Sequence, residues 1–193
     1  MTRNRLEAFS DGVIAILITI MVLELRPPEG TGLDDLARLA PRFLSYLLSF
    51  VFVAIYWNNH HHLLHAVEQV DGRVLWANMH LLFWLSLTPF ATAWMGEHHA
   101  APRTVAVYGC VLLAAGIAYF ILTRALLRLH PPESRLARAL GADWKGKGSM
   151  VAYAIAIPLA DVAPAVSIAI YVSVALTWLV PDRRFERTLG QAG

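Results

Sequence analysis

Charge and cysteine are scarce in this 193-residue chain. Only 16% of the residues are charged, and Cys110 is the single cysteine. One thiol excludes an intrachain disulfide, and the apolar run around it predicts that the thiol is buried packing. The chain has no glycine-rich phosphate loop, no His-Glu-x-x-His pair and no low-complexity tail. These absences argue against a nucleotide-binding domain and a zinc hydrolase of that pattern, and no nucleic-acid partner is expected. There is no internal repeat of the kind that marks inverted-repeat transporters. Nor does a small-residue cleavage site follow the first apolar run. Glu7 and Asp11 interrupt its start and Glu24-Leu25-Arg26-Pro27-Pro28 closes it, so the segment reads as a retained helix rather than a signal peptide.

What the chain has is hydrophobic length. Apolar residues make up 57% of it and the mean hydropathy is +0.51, values of a polytopic membrane protein. At roughly 20 apolar residues per crossing, six spans are predicted, at 5–25, 41–65, 73–94, 104–129, 149–162 and 164–181. Pro27 and Pro28 end the first, and Pro158, Asp161 and Pro164 divide the last apolar stretch into two crossings joined by a tight turn. The expectation is a single all-α domain over residues 1–193 in a lipid bilayer. With six spans, Arg3, Arg5, Arg73, Arg124, Arg128, Arg135, Arg138, Lys145, Lys147, Arg183, Arg184 and Arg187 share one side. Only Arg26, Arg38, Arg42 and Arg103 remain on the other. That asymmetry predicts both termini in the cytoplasm. The basic loop 130–148, with Trp144 in it, is either solvated or rests on the anionic inner leaflet.

Polar residues within the spans are the candidates for function, because a buried polar group in lipid needs a partner. In the first span Gly12, Ile16, Thr19 and Leu23 form one stripe, with Ile20 beside it. Alone, this is an ordinary helix face. Around an axis of identical subunits it would form apolar rings able to gate by dewetting. At the cytoplasmic end, Arg5, Ser10, Asp11, His60 and Asn78 are predicted to form one network joining three helices, with interhelical bonds of about 1 kcal/mol each. His61, His65 and Glu68 are spaced to share a helix face and make a weak metal-ligand set beside the simpler reading of solvated boundary histidines. Glu24 is expected to pair with Arg26 or Arg42.

The motif Arg5-x-x-x-Phe9-Ser10-Asp11-Gly12, followed by Trp57-x-x-His60, Asn78 with Pro89-Phe90, and Tyr153 through Pro164 to Trp178-Leu-Val-Pro181, resembles the bacterial relatives of the endolysosomal potassium channel. The resemblance covers nearly the whole chain. It implies a homotetramer of six-helix subunits in a bacterial plasma membrane, conducting potassium ions through a central pore lined by the first helix, with no other cofactor. The family lacks the Thr-Val-Gly-Tyr-Gly filter, as does this chain. By the same resemblance the hydrophobic bottleneck falls at Ile16, with Thr19 and Leu23 further along the pore. Arg5, Phe9, Ser10 and Asp11 would hold the pore helix, partnered by Trp57, His60 and Asn78. Some relatives carry Ser or Thr just before the bottleneck, where this chain has Ala15. Two alternatives stand beside a channel: a metal-dependent membrane enzyme using His61, His65 and Glu68, and a proton-coupled transporter working through Asp11 and His60.

Overall fold

A computed structural model describes residues 2–67, 69–141 and 143–179. Glu68, Pro181, Arg183, Arg184 and Arg187, which the sequence reading used, lie outside them. The described residues form nine helices: α1 (Arg3–Leu23), α2 (Leu33–Ala37), α3 (Ala40–His65), α4 (Gly72–Ser86), α5 (Thr88–Glu97), α6 (Pro102–Leu127), α7 (Arg135–Leu140), α8 (Trp144–Leu159) and α9 (Pro164–Leu179). Among the described residues four runs are long and apolar enough to cross a membrane: Arg3–Leu23, Ala40–His65, Gly72–Glu97 and Pro102–Leu127. The third run is α4 and α5 in sequence. It breaks at Leu87 because Pro89 has no N–H to continue the ladder, and Pro89 instead sits in the first turn of α5.

The chain turns back on itself at local signals. Pro41 opens α3 and Pro102 opens α6, each in the first turn, where a missing N–H costs nothing. Asp71 caps α4 by accepting from the Val74 N–H at 2.9 Å. The last two helices have 16 residues each and make a hairpin fastened at both ends. Near the turn, the Ser167 hydroxyl donates to the Ala156 carbonyl at 2.8 Å; at the open end, the Trp178 indole donates to Ser149 Oγ at 2.9 Å. α8 starts at Trp144 rather than near Ser149, because Asp143 caps it by accepting from the Gly146 N–H at 3.1 Å. Much of the anticipated basic loop is therefore helix.

Two apolar clusters form the interior. The first joins Leu6, Ile14, Leu17 and Met21 of α1 to Leu63 and Leu64 of α3, Leu81 and Leu85 of α4, and Leu122 of α6. The second gathers Phe52 of α3, Met95 of α5, Tyr108 and Leu112 of α6, Tyr153 of α8 and Tyr171 of α9. A close approach at Gly109 serves the second cluster, since a Cβ there would run into the Tyr171 ring and hydroxyl, which reaches the Val105 carbonyl at 3.3 Å. Cys110, expected as buried packing, is exposed. It lies one position past the face of α6 that buries Val105, Tyr108, Gly109 and Leu112.

Candidate functional site

α1 has two unlike faces. Leu6, Ser10, Ile14, Leu17 and Met21 recur every three or four residues and are buried against α3 and α4. The opposite face carries the stripe picked out in the sequence. Ile16 is 57% exposed and Leu23 75%, and Gly12, Thr19 and Ile20 are exposed beside them. The Thr19 hydroxyl donates back to the Ile16 carbonyl at 2.8 Å, so its proton stays within the helix and its oxygen lone pairs face outward. A 21-residue helix is ~32 Å long, enough to cross a hydrocarbon core.

The buried face is held by a directional chain of hydrogen bonds at the end where α1 begins, α3 ends and α4 begins. Asn78 Nδ2 donates to Ser10 Oγ at 2.9 Å, and Ser10 Oγ donates to the Leu6 carbonyl at 2.8 Å. The Asn78 carbonyl oxygen can only accept, so the 2.7 Å contact to His60 Nε2 requires the proton on Nε2. All three side chains are fully buried. The tautomer leaves His60 Nδ1 bare, and that atom is buried without a partner among the described residues. One polar thread thus runs from α3 through α4 to α1.

A second link lies nearer the surface. The Trp57 indole N–H donates to the Asp11 carboxylate at 3.0 Å, again joining α3 to α1. His60 therefore meets Asp11 through neither of its ring nitrogens; Asn78 takes His60, and Trp57 takes Asp11. Arg5 and Phe9 face outward on the exposed side of α1, with Phe9 47% exposed. Arg3, which the sequence reading counted only among the basic residues of one side, ties the helix start to the α3–α4 connection by donating to the Val67 carbonyl at 3.2 Å.

His61 and His65 share a face of α3, and the carboxylate they meet comes from α1. Glu7 Oε1 lies 3.1 Å from His61 Nδ1 and 3.6 Å from His65 Nε2. Glu24 is exposed, and among the described residues it forms no ion pair with Arg26 or Arg42. A further polar cluster escaped the sequence reading. Ser49 Oγ contacts the Tyr108 hydroxyl at 2.9 Å and accepts from the Thr92 hydroxyl at 2.6 Å, linking α3, α5 and α6. The four-residue spacing of Ser45 and Ser49 was the available signal, since it sets two hydroxyls on one face of an apolar helix.

Residues 5–89, which contain α1 from Arg5 onward, the buried thread and the Asp11–Trp57 bond, match the family model of the endosomal/lysosomal potassium channel TMEM175. A protein of Chryseobacterium named as a potassium channel is 50% identical over 189 residues, 98% of this chain and 98% of its own. The chain belongs to the TMEM175 family. A second TMEM175 relative, a protein of Chamaesiphon minutus named as a potassium channel, is 39% identical over 60% of this chain and 62% of its own. The TMEM175 fold is shared over most of the chain: a crystal structure described as a lysosomal potassium-selective channel TMEM175 homologue from Chamaesiphon minutus superposes with a TM-score of 0.79. It covers 92% of this chain and 96% of that one at 27% identity.

Proposed function

We propose that this chain is the subunit of a potassium channel. Its relatives named as potassium channels match it over up to 98% of its length, and passive ion conduction, not enzymatic turnover, is the activity they point to. In this reading residues 1–193 form one channel domain with six crossings, the run α4–α5 counting as one and α8 and α9 as two. Four copies surround an axis in a bacterial plasma membrane, with both termini cytoplasmic and α1 of each copy lining the pore.

The observation that carries the reading is the division of α1 into a pinned face and an unpinned one. A helix whose buried side is fixed by the Ser10–Asn78–His60 thread keeps its other side, with Ile16, Thr19 and Leu23, at a set angle. Closed symmetry brings the same patch of every copy to the axis. Four such faces make a narrow apolar passage in which Ile16 and Leu23 constrict and hydration decides conduction. Potassium is the permeant ion, and the chain needs no cofactor for the task.

The test is ion flux through purified protein in liposomes. The expected outcome is potassium efflux above protein-free vesicles, faster than sodium efflux and running only downhill. Flux driven uphill by a pH gradient and saturating with substrate would instead establish the proton-coupled transporter, and no cation flux at all would remove the channel reading.

A further inference from the structure

Outside the buried thread, one cluster on α1 and α3 has the composition and spacing of a metal site. We infer that Glu7, His61 and His65 bind a divalent transition-metal cation of the zinc class, clasping the start of α1 to the end of α3. The ligand-capable atoms of the three side chains all lie within 4.8 Å of one another. In a tetrahedral zinc site with bonds of ~2.0–2.1 Å, neighbouring ligand atoms stand ~3.4 Å apart. The two distances from Glu7 Oε1, 3.1 Å to His61 Nδ1 and 3.6 Å to His65 Nε2, bracket that edge. Small rotations of partly exposed side chains are enough to converge the three atoms on one ion.

The donor set decides the class of metal. Two imidazoles and one carboxylate suit zinc and its neighbours among the first-row transition metals, whereas magnesium and calcium prefer all-oxygen shells. Three protein ligands leave a fourth position, and His65 is 46% exposed, so water and solute reach the site from one side. The ligands are also oriented. His61 stacks on the Trp57 indole, with ring centroids 5.8 Å apart and planes 23° from parallel, and Trp57 is itself fixed by its bond to Asp11.

Position along the helices gives the site its consequence. Glu7 is four residues before Asp11 on α1, and His61 is four residues after Trp57 on α3. The two antiparallel helices are therefore joined by successive rungs one turn apart: Asp11 with Trp57, then Glu7 with His61 and His65. A bound ion makes the outer rung a set of coordination bonds and stiffens the seam along which α1 is held. The geometry alone carries this inference, so binding is expected whether or not the chain conducts potassium.

The experiment uses full-length, untagged protein in detergent micelles, stripped with chelator and titrated with zinc chloride. The expected result is one zinc ion retained per chain after gel filtration, a raised unfolding temperature in zinc, and none of this with magnesium or calcium. Substituting cobalt(II) for zinc should give the strong visible absorption of a four-coordinate site. His61→Ala and His65→Ala should each weaken zinc binding by about 100-fold or more, since loss of outer partners alone costs about 10–100-fold. Glu7→Gln keeps the shape of the side chain, so its unfolding temperature without zinc should match that of the parent while the rise with zinc shrinks or vanishes. His80→Ala, which removes a histidine bonded to Trp84 elsewhere on α4, should leave binding unchanged. Zinc uptake that is absent in the parent, or equal in the parent, His61→Ala and His65→Ala proteins, overturns the inference.

Discussion

The Trp57 indole N–H donates to the Asp11 carboxylate across 3.0 Å, so that a residue near the end of α3 holds a charged residue near the start of α1. Asp11 opens an apolar run, where a carboxylate without a donor is costly. The indole supplies that donor, and its breadth also gives His61 a surface to stack on. Trp57→Phe keeps the ring and removes the N–H. The expected loss is about 1 kcal/mol of stability. A double-mutant cycle with Asp11→Ala, followed by denaturation in detergent, should return a coupling energy of the same size, and additive effects would show that the bond contributes nothing.

Asn78 is the hinge of the buried thread because it both accepts from His60 and donates to Ser10. Asn78→Leu strands the His60 N–H in a dry site and is expected to cost about 1–3 kcal/mol. Adding His60→Leu removes the stranded donor, so the double variant should be more stable than Asn78→Leu alone. Thermal unfolding of the three proteins, read by circular dichroism, checks the order.

Much of the fold can be read from runs and breakers. The four long spans follow from apolar length, and Pro27-Pro28 and Pro164 punctuate the chain where helices end or begin. The start of α8 cannot be read in this way. Lys145 and Lys147 in a first turn oppose the helix dipole and read as loop, while the side chain of Asp143 outweighs them by capping. At the site, the polar positions are visible but their pairing is not. Ser10, Asp11, His60 and Asn78 stand out as polar residues in apolar helices. Which of them meet depends on the rotation and depth of helices far apart in sequence. For the same reason no spacing in the sequence announces that Glu7, from another helix, stands beside His61 and His65.

Asp143 gives a pH dependence. Burial pushes its carboxyl above the usual carboxylate range, against the Gly146 N–H and the Lys147 and Arg124 charges, which act to lower it. The folded chain therefore holds this proton more tightly than the unfolded chain. Its contribution is fully present below the ordinary carboxylate range and declines as pH rises through the raised native value. Asp143→Asn keeps an oxygen to cap α8 and tolerates the left-handed backbone at φ 45°. That variant should be at least as stable as the parent at neutral pH and should lose this part of the slope, which is measured by unfolding temperature against pH from mildly acidic to neutral buffer.

The central claim is that the exposed stripe of α1 lines a pore and that Ile16 narrows it. Potassium flux from liposomes containing the Ile16→Asn protein, compared with the parent at equal protein density, tests it most directly. A polar side chain at the constriction should keep it wet, so the variant is expected to leak potassium faster than the parent by about tenfold or more, equivalent to roughly 1.4 kcal/mol off the barrier. An equally well-folded Ile16→Asn protein with unchanged flux would contradict the account, because it would put Ile16 away from the path of the ion.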